Sequence, residues 1–324
     1  MKIGITGNGM IVERMLEDIA ELPVAEGKAI CVRPRSREKG EILAERHGLK
    51  LYTDYEAFLQ SEAFDTVYIG IVNSEHYRYA KLALEAGKHV ICEKPFTVSA
   101  DETKELVRMA RERKLFLWEA FKIPYSPIFQ AVQGQLDKIG EIKLVQCNYS
   151  RVSSRFRQYQ EKMVLPAFDP KQAGGCLYDI NIYNLHFVTG LFGRPKKVHY
   201  YANKGFNGID TSGTVVLEYE RFWAICTGAK DSTSPSYAVI QGTEGCIRAE
   251  GPISSARTVE LLVGDRTRVL ARDEESGTLK GELKALAAQY DAKDLEGCYE
   301  MLEHSILVME VLETARKDAG VEFS

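Results

Sequence analysis

The sequence lacks the cysteine and histidine patterns on which metal sites and disulfide frameworks depend. Its 7 cysteines are scattered with no CxxC pair, and its 6 histidines form no HExxH-like pair. Neither a bound metal nor a disulfide framework is therefore predicted. Scattered, reduced thiols fit a protein of the cytoplasm.

Long apolar runs and an excess of positive charge are also missing. No run reaches the roughly 18 apolar residues that a membrane-spanning helix needs, and the first residues predict a strand and not a signal peptide. Lysine and arginine number 42 against 46 acidic residues, with no basic block. Membrane and nucleic-acid partners are thus not expected.

What remains is an ordinary globular composition, with 45% hydrophobic and 27% charged residues,. The length of 324 residues exceeds what one hydrophobic core usually serves, so two domains are expected. Pro124 and Pro127 lie in a loop-forming stretch, which indicates a boundary. We place the domains at 1–120 and 121–324.

The N-terminal stretch predicts a strand, a glycine turn and a helix. Gly7 allows a tight turn after the strand 2–6, and Gly9 would let the backbone approach a pyrophosphate at the helix N-terminus. The third glycine of the usual GxGxxG pattern is Val12 here. A turn without a ligand is the alternative. The predicted dinucleotide-binding residues in this stretch are Gly7, Asn8, Gly9, Met10 and Ile11.

The end of the second predicted strand, 29–32, carries no acid of the kind that an NAD-specific site uses for the ribose hydroxyls,. Arg35, with Arg33, could instead bind a 2′-phosphate, and Ser36 could hydrogen-bond it. NADP is therefore favoured over NAD. The alternatives are a solvated turn for the arginines and a plain helix N-cap for Ser36.

The stretch 87–95 combines a glycine helix stop, a buried strand and a charged pair before a proline,. Glu93 and Lys94 follow directly where the strand ends, and ligands of open parallel sheets bind outside the carboxyl ends of the strands. Pro95 stiffens the backbone that presents Lys94. A surface ion pair beside a turn is the alternative.

The strand before it, 66–72, is continuously apolar and therefore central,. Its carboxyl end brings Ile71 and Asn73 beside the expected cofactor. His76 opens the next helix and could cap it or contact the ribose or nicotinamide. Six such strands alternate with helices, which predicts a doubly wound parallel sheet.

The second half predicts a different architecture. After Gly174-Gly175, a helix carries Asp179 and Tyr183 four residues apart and therefore on one face, with His186 following,. From Lys197 onward, strand follows strand with short turns, which indicates an antiparallel meander, and two helices end the chain. A large sheet that is apolar on both faces needs two covers, so we expect a homo-oligomer, most simply a dimer through this sheet.

Taken together, these residues resemble the Gfo/Idh/MocA family of glucose–fructose oxidoreductase-like and inositol dehydrogenase-like enzymes. The resemblance implies an N-terminal Rossmann domain, a C-terminal α+β domain with a large, mostly antiparallel open sheet, and often a cis peptide before Pro95. Two departures are Val12 and Ile71-Val72, which stands where Thr-Pro is often found. The matching motifs are Gly7-Asn8-Gly9, Asn73-Ser74-Glu75-His76, Ala86-Gly87-Lys88-His89-Val90, Glu93-Lys94-Pro95, Trp118-Glu119-Ala120 and Gly174-Gly175 with Asp179.

The resemblance also implies an activity, the transfer of a hydride between NADP or NAD and a hydroxyl or carbonyl of a sugar, polyol or dihydrodiol. Many members carry His at the position of Tyr183. With Tyr there, the chain is similar to the subset of dihydrodiol, xylose and glucose–fructose oxidoreductases. Lys94 and Tyr183 would handle the proton, since a nearby ammonium favours the phenolate. Glu93 would orient Lys94, and Asp179 would hold Lys94 or the substrate. Expected substrate contacts are Lys94, Phe121, Asp179 and Tyr183.

Two other functions are compatible with these motifs. Some relatives keep the nicotinamide bound and use redox steps to break a glycosidic bond, so a redox-assisted glycosidase or lyase is one alternative. The other is a dinucleotide-sensing protein without turnover. Release of free sugar would identify the first, and cofactor binding without turnover would identify the second.

Overall fold

The computed structural model describes residues 1–323, which form two compact units. The first unit comprises Met1–Phe121 together with Thr278–Ile306, and the second comprises Lys122–Gly277 and the chain from Leu307 onward. The sequence division at residue 120 lies one residue from the first break. It places Thr278–Ile306 in the second domain, whereas in the structure this segment packs with the first unit.

The structure contains strands and helices in the following order. The strands are β1 (Lys2–Thr6), β2 (Glu26–Cys31), β3 (Lys50–Tyr52), β4 (Thr66–Ile69), β5 (His89–Glu93), β6 (Leu117–Ala120), β7 (Ile142–Ser150), β8 (Lys197–Lys204), β9 (Asp210–Glu218), β10 (Trp223–Ala229), β11 (Tyr237–Gly242), β12 (Cys246–Glu250), β13 (Thr258–Val263) and β14 (Arg266–Arg272). The helices are α1 (Met10–Ala20), α2 (Arg37–His47), α3 (Tyr55–Leu59), α4 (His76–Glu85), α5 (Ala100–Arg113), α6 (Pro127–Gln133), α7 (Phe156–Gln160), α8 (Ile182–Phe192), α9 (Lys280–Asp291) and α10 (Leu295–Asp318).

The first unit is built on a six-stranded sheet in the order β3-β2-β1-β4-β5-β6. Every pairing in it is parallel, which confirms the predicted doubly wound sheet. All four residues of β4 are buried, as expected for a strand covered by helices on both faces. The order reverses between β1 and β4, and in such sheets ligands bind outside the carboxyl ends at that reversal.

Helix α9 joins this unit through contacts that are distant in sequence. The buried carboxylate of Asp18 in α1 accepts a hydrogen bond of 2.7 Å from the backbone N–H of Leu279. Trp118 Nε1 donates to Gln289 Oε1 at 2.6 Å, and Leu283 and Leu286 are buried. Such long-range contacts have no signature in the local sequence, so the sequence could not assign this helix to the first unit.

The second unit contains an eight-stranded sheet in the order β14-β13-β12-β11-β7-β10-β9-β8. The prediction of one antiparallel meander is wrong in one respect, because β7 lies between β11 and β10 and pairs parallel with β10. The remaining pairings are antiparallel, so the large, mostly antiparallel sheet is confirmed. Periodicity locates strands in a sequence but does not identify the partners with which they pair.

The two faces of this sheet differ in burial. On β10, Ala224 and Cys226 are buried, while the alternating positions Trp223 and Ile225 are exposed or half-buried. The register extends the second face to the neighbouring strands, since Ile225 aligns with Val216 of β9. Large side chains stay accessible there, with Trp223 61% exposed and Tyr201 71% exposed.

Candidate active site

The glycine turn after β1 places an open helix N-terminus at the point where the sheet order reverses. Gly7 has φ +109°, and a Cβ there would collide with the carbonyl oxygen of Gly70, so only glycine fits,. A Cβ on Gly9 would meet no atom within 4 Å. Gly9 is the N-cap of α1 and supplies no side-chain cap. Space and N–H donors are thus present where a pyrophosphate would bind, and the residues fit that group.

The turn after β2 presents the residues expected to distinguish NADP from NAD. Arg33 and Arg35 are exposed and Ser36 is half-buried. Ser36 precedes α2 as its N-cap residue, but its hydroxyl makes no capping hydrogen bond. The nearby Arg37 is engaged with Glu41 at 2.8 Å. Arg33, Arg35 and Ser36 thus all keep some exposure in this turn.

Lys94 is the only residue of the stretch 90–97 that is not buried. It follows β5 directly, at the carboxyl edge of the sheet. Glu93 beside it is buried and accepts a 2.7 Å hydrogen bond from Tyr68 OH. The Lys94–Pro95 peptide is cis, which confirms the expectation drawn from the family resemblance. Lys94 is thus the one partly exposed residue between two buried segments at the carboxyl edge of the sheet.

His76 lies behind this turn and not on the surface. Its ring is fully buried, with Nδ1 2.8 Å from the carbonyl oxygen of Pro95 and Nε2 3.3 Å from that of Ile71. Burial lowers the pKa of His76, although the two carbonyl oxygens act in the opposite direction. A neutral imidazole has one N–H, which we assign to Nδ1 because its distance is shorter. His76 therefore supports the backbone that carries Lys94.

Three other predicted positions lie at the same edge. Ile71 and Asn73 are half-buried and follow β4. Phe121 follows β6, but only 4% of it is exposed, and its ring stacks on His304 with centroids 5.4 Å apart. This packing leaves Phe121 little surface for a substrate.

In the second unit, the Gly174-Gly175 pair permits a close approach of backbone segments. Gly175 has φ +100°, and a Cβ there would collide with the carboxylate of Asp210. Asp210 is buried and accepts hydrogen bonds from the N–H of Leu177 at 2.6 Å and from Tyr200 OH at 2.7 Å. Burial raises the pKa of Asp210, and these hydrogen bonds oppose the shift. The glycines are thus explained by packing and the cap of the following helix.

The predicted helix begins with a π-helical turn, Leu177–Asn181, and continues as α8. π-Turns are frequent at functional sites. Asn181 donates to the carbonyl of Cys226 at 2.9 Å, and Asn184 to that of Thr227 at 3.0 Å, which fixes one side of the helix to β10.

Asp179 and Tyr183 lie on the accessible side of this helix. Both are half-buried, in contrast to their buried neighbours Tyr178, Asn181 and Ile182. The ring of Tyr183 lies 6.2 Å from that of Tyr149 on β7. His186 is buried. The carboxylate and the phenol therefore both belong to partly exposed residues of this helix.

The sequence did not point to Lys230, which follows β10. Its ammonium lies 2.7 Å from Asp179 Oδ2, and its side chain is 3% exposed against 38% for that of Asp179. No motif surrounds this lysine, and its role is visible only in the folded chain. Asp179, which was expected to hold Lys94 or the substrate, thus forms an ion pair with a lysine of its own unit.

The described residues, 1–323, contain neither a cluster of metal-binding side chains nor a membrane-spanning helix. These residues hold no group of three or more His, Cys, Asp or Glu side chains that could bind a metal ion. Over the same residues, every helix is too short or too polar to cross a bilayer.

Comparison with known proteins supports this picture. Residues 1–121 match the GFO_IDH_MocA model, an oxidoreductase family with an NAD-binding Rossmann fold, and residues 130–248 match the GFO/IDH/MocA C-terminal domain. The chain is 32% identical to scyllo-inositol 2-dehydrogenase (NADP(+)) IolU of Bacillus subtilis (strain 168), over the whole chain and 98% of that protein. It is 28% identical to trans-1,2-dihydrobenzene-1,2-diol dehydrogenase of Homo sapiens, over the whole chain and 98% of that protein.

A solved structure shares the fold. KijD10, a 3-ketoreductase from Actinomadura kijaniata in complex with NADP and TDP-benzene, superposes with a TM-score of 0.85 at 22% identity, covering 98% of this chain and 97% of the other. Both units, the two matching family models and the full-length relatives agree. The chain belongs to the GFO/IDH/MocA family of NAD(P)-dependent oxidoreductases.

Proposed function

We propose that the protein is an NADP-preferring dehydrogenase or reductase that acts on a CH–OH or carbonyl group of a polyol or dihydrodiol. The observation that carries this proposal is Lys94, the one accessible side chain in a buried stretch at the carboxyl edge of the Rossmann sheet. The named activities of the inositol and dihydrodiol dehydrogenase relatives support the substrate class. A sugar of similar size is within the same chemistry.

The cofactor would be held by residues of the first unit. The α1 N-terminus and the turn from Gly7 to Ile11 suit the pyrophosphate, and Asn8 lies within that turn. Arg35 and Ser36 suit the 2′-phosphate, while Ile71, Asn73 and Glu93 border the same edge. When bound, the nicotinamide accepts or supplies a hydride at C4.

Lys94 and Tyr183 would move the proton that accompanies the hydride. A phenol of pKa about 10 is ionised to roughly 0.1% at neutral pH, so a phenolate base needs a nearby positive charge. We assign that charge to Lys94, which would also stabilise the developing alkoxide. Tyr183 would take the hydroxyl proton during oxidation and return it during reduction. Asp179 would accept hydrogen bonds from substrate hydroxyls.

The test is a panel of inositols, aldoses and dihydrodiols with NADP and NAD, followed by the absorbance of the reduced cofactor. Lys94→Met and Tyr183→Phe are each expected to slow turnover by about 10²- to 10⁴-fold while NADP binding persists. Lys81→Met is the matched control. It also removes a lysine ammonium, but one that is paired with Glu105 of a neighbouring helix at 2.8 Å, so turnover should be unchanged. Unchanged turnover in Lys94→Met would remove Lys94 from the mechanism.

The same panel separates the alternatives. Release of free sugar from glycosides, with a cofactor that does not dissociate, would identify a redox-assisted glycosidase or lyase. Tight NADP binding without turnover of any compound would indicate a sensing protein.

We further propose that the protein forms a homodimer through the accessible face of the eight-stranded sheet. This face carries Trp223 and Tyr201, both large and more than half exposed. Apolar surface of this kind is typical of an interaction site. A second copy offers the same face and would give a closed, self-complementary interface.

A further inference from the structure

Lys230 is a lysine buried in the second unit, and all three donors of its ammonium have acceptors. Nζ lies 2.6 Å from the carbonyl oxygen of Ala167, 3.4 Å from that of Gly175 and 2.7 Å from Asp179 Oδ2. An ammonium has three N–H donors and no acceptor. The side chain is therefore fully used in holding three separate parts of the chain.

The backbone of Lys230 is fixed as firmly as its side chain. Its N–H donates to the carbonyl of Thr211 at 2.8 Å, and its carbonyl accepts from the N–H of Ser153 at 2.9 Å. The ammonium also lies over the ring of Phe168, 4.5 Å from its centroid. The position of Nζ is thus set by neighbouring strands and by packing, and not by solvent.

Asp179 contrasts with this lysine. It lies in the π-helical turn Leu177–Asn181, and more than a third of its side chain is exposed. One carboxylate oxygen, Oδ2, is bound to a desolvated cation. Because a desolvated cation holds this oxygen, the orientation of the Asp179 carboxylate is set by Lys230,.

We propose that Lys230 is a positioning residue that aims the Asp179 carboxylate at the substrate and restricts it to accepting hydrogen bonds. This inference rests on the proposed function and assigns separate roles to Tyr183 and Asp179. The hydroxyl proton passes to Tyr183, and Asp179 holds the substrate hydroxyls.

The test is a double-mutant cycle of Lys230→Met and Asp179→Asn, measured with a substrate that the panel identifies. Asp179→Asn is expected to raise KM by about 10- to 100-fold with kcat little changed, because it removes only a charged hydrogen-bond acceptor. Lys230→Met is expected to raise KM similarly, and the double variant to resemble Asp179→Asn alone. Lys230→Gln, which keeps a donor, is expected to recover part of the loss.

Lys88→Met is the matched control. Lys88 also donates to two backbone carbonyls, those of Ser61 at 2.7 Å and Phe64 at 2.8 Å, and lies over the Phe64 ring. It has no carboxylate partner among its hydrogen bonds in the described chain. Its replacement should lower stability without changing KM.

Three results would overturn the inference. Equal losses from Lys230→Met with and without Asp179→Asn would reduce Lys230 to a structural lysine. If turnover in Asp179→Asn falls by a factor of about 100 or more, the size expected for a lost general base, Asp179 is the base. If Lys230→Met fails to fold, the urea-unfolding cycle with Lys230→Gln decides, since additive losses of stability would show no coupling.

These failures differ from failure of the proposed function. If the wild-type protein turns over no compound of the panel, the proposed function fails first. The stability cycle still reports whether Lys230 and Asp179 are coupled. If the wild type is active and the cycle is additive, only the role of Lys230 is lost.

Discussion

A methyl group of Val12 occupies the space that Gly70 leaves without a side chain. A Cβ added to Gly70 would lie 2.8 Å from Val12 Cγ2. Val12 stands at the third position of the GxGxxG pattern, where a small residue normally allows the helix to approach the strand, and it is fully buried. The close approach of α1 to the end of β4 therefore depends on the missing side chain of Gly70.

We expect Gly70→Ala to lower the free energy of unfolding by about 1–3 kcal/mol through overpacking against Val12. Val12→Ala in the same chain should recover part of this loss. Recovery is incomplete because the added Cβ also lies 2.9 Å from the Tyr68 ring. Urea unfolding of the two single variants and the double variant measures the coupling. Additive losses would contradict the exchange of volume between these two positions.

Local patterns identify most of the fold. The strands β1, β4 and β5 are short, largely apolar runs followed directly by Gly7, Gly70 and Lys94. Such runs alternating with helices indicate a parallel sheet. Strand β14 is not recognisable, because its sequence RTRVLAR carries three arginines and most of its residues are exposed at the sheet edge. The insertion of β7 between β10 and β11 depends on pairing over long distances, which periodicity does not report.

In the candidate site, too, residues in local motifs could be predicted and residues with distant partners could not. Lys94, Asp179 and Tyr183 stand out because their motifs are local, and the structure leaves all three accessible. Lys230 has no such pattern, since its partners at Ala167 and Asp179 are about 60 and 50 positions away, a range beyond any local motif. The resemblance supplied the roles of Lys94 and Tyr183, which the residues alone would have left open.

Arg35 is expected to determine the preference for NADP. Arg35→Ala should weaken NADPH binding by about 10- to 100-fold, since a hydrogen-bonded contact between an arginine and a phosphate is lost. NADH, which has no 2′-phosphate, should bind as before. Dissociation constants from the fluorescence of the bound reduced cofactors give both values.

Arg37→Ala is the control for this experiment. It removes the same charge two residues away, but Arg37 is held by Glu41. The preference for NADPH should persist in this variant. Equal weakening of NADPH and NADH in Arg35→Ala would assign the arginine to a general role in the turn.

His76 is expected to make the stability of the protein depend on pH. Burial holds the pKa of His76 below its ordinary value, which is about 6.5. As the pH falls through that value, the unfolded chain takes up the proton first, so the free energy of unfolding decreases until the folded pKa is reached. Above the ordinary value of about 6.5, His76 is neutral in both the folded and the unfolded chain, and the full stability is present.

The measurement is urea unfolding of wild type and His76→Gln between pH 8 and pH 5, values on either side of the ordinary histidine pKa of about 6.5. The variant should be less stable at pH 8 by about 1–3 kcal/mol, because buried hydrogen bonds are weakened, and should lose less stability on acidification. Some slope remains, since burial also lowers the pKa of His89. Parallel curves for the two proteins would exclude His76 as a source of the pH dependence.

Trp223 is expected to lie at the centre of the proposed dimer interface. It projects from β10 on the accessible face of the sheet, with β7 on one side and β9 on the other. Trp223→Glu would place two like charges in a self-complementary interface and leave each without a partner, which is costly once water is removed. Light scattering after size exclusion should therefore give a dimer for the wild type and a mass of 36.4 kDa, that of one chain, for the variant. Ile42→Glu, on an exposed position of α2, should remain a dimer, and a Trp223→Glu protein that also remains a dimer would place the interface elsewhere.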